Sequence, residues 1–263
     1  MSSETDVKSW IDQARQVVVL TGAGISTDSG IADFRGPQGI WTKNPGAEKK
    51  ADIRYWMSDP EVRKAGWRTR LESPVFAAEP NAGHRALVEL ERRGKLLAIV
   101  TQNVDGLHQK AGSDPSLVLE VHGTAHRVRC MACGENAPIE RALDRVRAGE
   151  EDPPCRSCGG ILKTATISFG QSLDPDVIDA AQRAALAGDL MLAVGSTLGV
   201  YPAAGLVPLA AQAGAKVVII NDAPTELDRL ADAVIRASIS EVLPRLVTSD
   251  PDEPPRPPGA DLV

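Results

Sequence analysis

Four cysteines carry the sharpest chemical signal in the sequence. Cys130, Cys133, Cys155 and Cys158 form two Cys-x-x-Cys pairs, twenty-one residues apart, with no cysteine left over. Two such turns present four thiolates at the corners of a tetrahedron, the geometry of structural zinc. Gly134 and Gly159 each follow a second cysteine, where a tight knuckle needs them. Two disulfides or redox pairs are the alternative. The chain reads as cytoplasmic, where disulfides are rare. Four thiolates would fill the coordination of one Zn²⁺ per chain, so the metal is expected to be structural and to do no chemistry.

A second group of residues could do chemistry. Thr21-Gly22-Ala23-Gly24-Ile25-Ser26 follows an apolar run, and a strand entering a Gly-x-Gly turn suits backbone binding of a pyrophosphate. The dinucleotide fingerprint wants a third glycine where Thr27 stands, which disfavours an ordinary nicotinamide dehydrogenase. Taken alone, the turn is equally a tight turn without a ligand. Asp33-Phe34-Arg35 continues the same segment, and further polar groups, Gln102-Asn103-Val104-Asp105 and His122-Gly123, follow other apolar runs. A histidine is neutral enough at cell pH to act as a general base, although a lone histidine is more often only hydrogen-bonded.

These residues need elements to bring them together. Val17–Leu20, Leu96–Val100, Leu117–Val121, Leu190–Val194, Lys216–Ile220 and Ala233–Ile235 are short apolar runs that read as strands buried on both faces. Helical patterns lie between several of them, at Asn81–Arg93 and Asp176–Ala187 for example. The expectation is an α/β fold, a doubly wound, Rossmann-like parallel sheet whose ligands bind beyond the strands' carboxyl ends. Two segments break the rhythm. One is polar and helix-prone; the other holds the cysteines. We therefore expect a large Rossmann-like lobe from 1–36, 81–126 and 165–248, with its ligand left open at this point. A helical insertion at 37–80 and a zinc module at 127–164 would form a smaller lobe. Residues 249–263 hold five prolines and read as a disordered tail.

Composition narrows the function classes. Hydrophobic residues make 43% and charged residues 24% of the 263, as in an ordinary globular protein. The net charge of −6 argues against a broad grip on nucleic acid. The N-terminus lacks a basic start followed by an apolar run, so no leader is expected. Leu190–Ala215 is uncharged but broken by glycines and prolines, and reads as strand, turn and helix rather than a membrane span.

Together these motifs resemble the sirtuin family of NAD-dependent protein lysine deacylases, of bacterial type, from about Val17 to Val247. The resemblance implies an enzyme that moves the acyl group of an acyl-lysine protein or peptide onto ADP-ribose and releases nicotinamide. By that resemblance Gly22, Ala23, Gly24 and Ser26 cradle the NAD phosphates, with Gly195, Ser196 and Thr197 as a second turn upon them. Asp33, Phe34 and Arg35 line the nicotinamide and ribose region. Gln102 and Asn103 meet the nicotinamide-side ribose, Asn103 also counting as catalytic. Asp105 with the Val104 backbone holds the carboxamide. Asn221 and Asp222 meet the adenosine ribose, and Ile239 covers the adenine. Ile167, Ser168, Phe169 and Gly170 resemble the edge that pairs with the substrate backbone. His122 is the implied general base, acting on a ribose hydroxyl. Ala32 stands where proline is common, Ser196-Thr197 reverses the usual order, and Gln171 replaces a common acidic residue.

The other histidines have plainer readings. His84 reads as a core or capping residue, and His108 as orienting the Asp105 loop. His126 could ligate metal, but four thiolates suffice. Arg141, Arg145 and Arg147 read as a solvated helix face.

Overall fold

Strands apolar on both faces need helices on both faces. The computed structural model, which describes residues 3–36, 39–43 and 51–248, has this arrangement. Six parallel strands run in the order β3-β2-β1-β7-β8-β9, with β1 Val17–Thr21, β2 Leu96–Thr101, β3 Val118–Glu120, β7 Leu190–Val194, β8 Lys216–Ile220 and β9 Ala233–Ile235. Successive residues point to opposite faces, so Val17 and Val19 enter one core while Val18 and Leu20 enter the other. Three helices cover the first face: α1 Glu4–Gln13, α4 Ala82–Arg92 and α9 Ile239–Val247. Two cover the second: α7 Pro175–Ala187 and α8 Leu206–Gln212. The uncharged Leu190–Ala215 stretch is thus β7, a turn and α8. No helix among the described residues is long and apolar enough to cross a membrane.

A second core forms beside this sheet. Strands β5 Asn136–Pro138, β4 Gly123–Cys130 and β6 Leu162–Thr166 pair antiparallel. Helices α2 Ile53–Ser58, α3 Pro60–Leu71 and α6 Glu140–Arg147 close over them. Trp56, Trp67, Ile139, Leu143 and Leu162 fill the space between. Trp56 donates its indole N–H to the Leu162 carbonyl at 3.1 Å, which satisfies the polar atom of a buried ring. β4 begins at Gly123, directly after His122, so one strand runs from the large sheet's edge into the cysteine module. The expected tail, 249–263, and positions 37–38 and 44–50 of the expected helical insertion lie outside the described residues.

Candidate active site

Strand order reverses between β1 and β7, and there the two chains leave the sheet on opposite sides. Their backbones approach closely. Gly22 N–H donates to Val194 O at 3.0 Å and Gly24 N–H to Gly195 O at 2.8 Å. A Cβ on Gly22 would lie 2.7 Å from Gly195 O, and one on Gly195 would lie 2.5 Å from Ile25 N. Glycine is required here by space; at Gly195 it is also required by a φ of 65°. The chain after Gly22 forms a 3₁₀ helix, Ala23–Ser29, ended by Gly30 in the left-handed region. The facing turn is held by Ser196, whose Oγ accepts from Gln102 Nε2 at 2.9 Å and from the Leu198 N–H at 3.2 Å. Leu198, at φ 55°, is buried and non-glycine, a strained position of the sort found at binding turns.

Behind the glycines lies a buried polar cluster. Ser26 Oγ donates to Asp105 Oδ2 at 2.8 Å and accepts from Asn103 Nδ2 at 3.1 Å. Asn103 Nδ2 also donates to Gly22 O at 3.1 Å, and Asp105 Oδ1 accepts at 3.0 Å from the N–H of Leu107, the first residue of α5 Leu107–Ala111. These bonds tie the ends of β1 and β2 into one rigid floor. Asn81 caps α4 and donates to Ile25 O at 2.7 Å, holding the 3₁₀ turn from the far side. His84 completes that capping box, its Nδ1 accepting from the Asn81 N–H at 3.3 Å. Its Nε2–H is then left to donate to Ser26 Oγ at 3.4 Å. His108 Nε2 sits 3.0 Å from Thr21 Oγ1, whose hydroxyl donates to Thr101 Oγ1 at 2.8 Å. Burial pushes His84 down to about 4 and His108 to about 3, so both rings are neutral.

His122 closes the third strand end. Its Nδ1 donates to the Gln102 carbonyl at 3.0 Å, which leaves the Nε2 lone pair available as a base. Burial lowers its pKa, opposed by that carbonyl. His126 is not a metal ligand here: its Nε2 donates to the Asp105 carbonyl at 2.7 Å and its ring meets Phe76 edge-on.

Aromatic rings line the approach. Trp41 packs against Phe34 at 4.8 Å and Phe169 at 5.6 Å between ring centroids, and the Arg35 guanidinium lies 4.5 Å from the Trp41 ring centroid. Phe34 and Phe169 are 44% and 39% exposed, high for phenylalanine and suited to a ligand's apolar part. The Ile167–Gly170 segment is anchored by Ile167 N–H to His122 O at 2.8 Å, and by Phe169 pairing with Ala51 and Ile53 at 3.0 Å each. Asn221 follows β8, its side chain bonded to Ala223 O at 2.7 Å; Asp222 beside it is exposed. Ile239 starts α9, its Cγ2 set 3.2 Å from where a Cβ on Gly83 would stand.

The four cysteines converge away from these strand ends. Their sulfurs all lie within 4.8 Å of one another, with Cys130–Cys158 at 3.5 Å and Cys133–Cys155 at 3.8 Å. Sulfurs tetrahedral about zinc at 2.3 Å stand about 3.8 Å apart, so the set fits a structural Zn²⁺. Gly134 and Gly159 take φ of 76° and 73°, the knuckle turns their positions suggested. Arg145 departs from the expected solvated face. Its side chain is 12% exposed, held by both oxygens of Glu150 at 2.7 Å and by Pro154 O.

The fold therefore brings Gly22, Gly24, Ser26, Asn103, Asp105, Gly195 and Ser196 into direct contact, with His122 joined through Gln102. Ala23 and Val104 take part through their place in these turns. Asp33 lies against Gly36, while Thr197, Asp222 and Ile239 make no side-chain bond to the cluster. The sequence alone assigned no site role to Asn81, Thr21, Thr101 or Trp41. Asn81 carried a readable signal, an N-cap residue at the head of an apolar-periodic run.

The chain is similar to known proteins over most of its length. The Sir2 family pattern matches residues 22–202. The chain is 51% identical over 231 residues to NAD-dependent protein deacetylase 2 of Streptomyces coelicolor, covering 88% of this chain and 96% of that one. It is 40% identical to NAD-dependent protein deacylase 2 of Pyrobaculum aerophilum, over 92% and 94%. Among solved structures, a Sir2 with deacetylated p53 peptide and 3′-O-acetyl ADP ribose superposes with a TM-score of 0.86 at 34% identity, covering 93% and 97%. A Sir2–p53 peptide–NAD⁺ complex does so at 0.83 and 33%, with the same coverage.

Proposed function

Because the chain belongs to the Sir2 family, we infer that it is an NAD-dependent protein lysine deacetylase, transferring the acyl group of lysine to ADP-ribose with release of nicotinamide. The observation that carries this reading is the Ser26–Asp105–Asn103 cluster at the β1–β7 switch point, with His122 facing the same strand ends. When bound, NAD supplies the ribose carbon that accepts the acyl oxygen and the nicotinamide that leaves.

The residues divide the work as follows. Gly22, Ala23, Gly24, Ser26, Gly195, Ser196 and Thr197 hold the phosphates, the glycines by leaving the backbone open and Ser26 by its place at the turn. Asp105, fixed by Ser26 and the Leu107 N–H, offers its carboxylate and the Val104 backbone to the carboxamide. Asn103 and Gln102 orient the adjacent ribose. Asp33, Phe34 and Arg35 cover it and exclude water, which would otherwise hydrolyse NAD. Asn221, Asp222 and Ile239 take the adenosine end. His122 removes a proton from a ribose hydroxyl at Nε2, its Nδ1 held by Gln102 O. Ile167, Ser168, Phe169 and Gly170 receive the acyl-lysine peptide. The four cysteines hold zinc, which keeps the small lobe in shape and takes no part in the reaction.

The substrates are acyl-lysine proteins or peptides. Reduced cysteines favour a cytoplasmic setting, and the acidic net charge favours partners other than nucleic acid or membrane. The test is nicotinamide release with and without an acetyl-lysine peptide. Peptide-dependent release supports the deacetylase. Peptide-independent release with a labelled protein acceptor marks an ADP-ribosyltransferase, and no release marks a non-catalytic scaffold.

A further inference from the structure

Lys163 has no part in the reaction just described, yet it is buried to 2% in β6 of the small lobe. Lysine is seldom buried without an acid to pair with. Its Nζ donates to the backbone carbonyls of Thr166 and of Thr164, the latter at 3.3 Å. Among the described residues no carboxylate pairs with it. Burial pushes the amine down to about 7, and the neighbouring Arg70 guanidinium adds to the effect. Arg70 is itself half-buried, its guanidinium set over the Trp56 and Trp67 rings at 4.6 and 5.6 Å and bonded to Thr164 Oγ1 at 2.8 Å. A buried amine beside a guanidinium in one apolar lobe costs free energy that methionine or leucine would not. A specific contact must therefore account for the lysine.

That contact is the Thr166 carbonyl. The peptide unit that carries it also carries the Ile167 N–H, which donates to His122 O at 2.8 Å. The Thr166–Ile167 unit is thus gripped from one side by Lys163 and from the other by the backbone of His122. Directly after it comes the Ile167–Gly170 segment. On its other side the His122 ring is fixed on Gln102 O. We propose that Lys163 is a positioning residue: it fixes the Thr166–Ile167 peptide unit, and so the register between the peptide-receiving segment and His122. An amine suits the task. It donates whether charged or neutral, so the grip persists across neutral pH, and its long stem reaches three residues along its own strand. The proposal rests on the deacetylase reading above.

The test compares Lys163→Met, Lys163→Gln and Lys163→Arg in the full zinc-loaded chain. Acetyl-peptide KM, NAD KM, kcat and zinc content are measured, together with direct peptide binding by fluorescence anisotropy. Lys163→Met should raise the peptide KM and Kd about tenfold, the scale of one lost charge-assisted hydrogen bond. NAD KM and zinc content should stay as in wild type, and Lys163→Arg should restore most of the peptide affinity. Unchanged peptide KM in both Met and Gln variants would overturn the proposal, as would a NAD KM that rises as far as the peptide's. If neither variant folds with zinc, Lys163 serves the lobe's stability and the proposal fails. A wild-type enzyme that binds the peptide without peptide-dependent turnover would sink the deacetylase reading instead.

Discussion

Gly22→Ala isolates the close approach of β1 and β7 from every other property of the turn. At φ −126° and ψ −174° the backbone of Gly22 is one that alanine adopts freely, so only space is at issue. The new methyl would stand 2.7 Å from Gly195 O, 2.8 Å from Ser196 Cβ and 2.9 Å from Ser196 Cα. These lie roughly 0.6 Å short of ordinary contact, and two of the three neighbours are backbone. The two turns must part by about that distance. Overpacking of this kind costs about 1–3 kcal/mol, and in a chain of this size each kcal/mol lowers Tm by about 2–4 °C. Misplacement near 1 Å at a reacting centre costs about a hundredfold, so NAD affinity should fall at least about tenfold. Gly94→Ala is the matched control: its φ is +66°, nothing lies within 4 Å of its Cβ, and it is remote from the cluster. It should lose about 1 kcal/mol of stability through the backbone alone and keep full NAD affinity. Calorimetric NAD titration and thermal melting on both variants decide the matter. Wild-type NAD affinity in Gly22→Ala would show that the two turns admit the methyl without parting, against this expectation.

Acid should destabilise the fold through His84 and His108. Both are neutral when folded and take a proton near pH 6.5 when unfolded, so their contribution is complete above 6.5 and is lost as pH falls, toward about 4 for His84 and about 3 for His108. By pH 5.5 the pair should cost about 2–3 kcal/mol in denaturant unfolding, with His84→Gln reducing the difference; equal stability at pH 7 and 5.5 would contradict it. His122→Ala should lower turnover about a hundred- to ten-thousandfold while calorimetry still finds NAD bound with similar affinity. Asp105→Ala should instead weaken NAD binding and make nicotinamide a poorer inhibitor. Chelation or Cys130→Ala should lower the melting temperature and the activity together; full activity in a metal-free, folded sample would show the metal unnecessary.

Much of the large sheet was legible because its strands are all-apolar, β-branched runs such as Val17–Leu20 and Lys216–Ile220, which admit few other readings. Their spatial order was not, since no local pattern says that β7 pairs with β1. The cysteine spacing and the glycines behind it announced the metal site. The small sheet was obscure: β4 carries Arg127 and Arg129 on its exposed positions, and β6 buries a lysine, so neither shows an apolar run. The Ser26–Asp105 bond joins residues 79 apart, which sequence could bring together only through the family resemblance. Trp41 sits in a polar insertion, and its role between Phe34 and Phe169 emerges only from their rings being in contact. Arg145 looked solvated because helix periodicity cannot see Glu150 folding back onto it.

The central claim, that acyl-lysine is cleaved by transfer to ADP-ribose at the His122 cluster, is tested most directly by mass balance. The enzyme is given an acetyl-lysine peptide and NAD, and free nicotinamide, deacetylated peptide and O-acetyl-ADP-ribose are quantified together by mass spectrometry. Equal amounts of all three are expected, and no acetyl-ADP-ribose when NAD is omitted. Deacetylated peptide with free acetate in place of O-acetyl-ADP-ribose, or nicotinamide released in excess of deacetylated peptide, would contradict it.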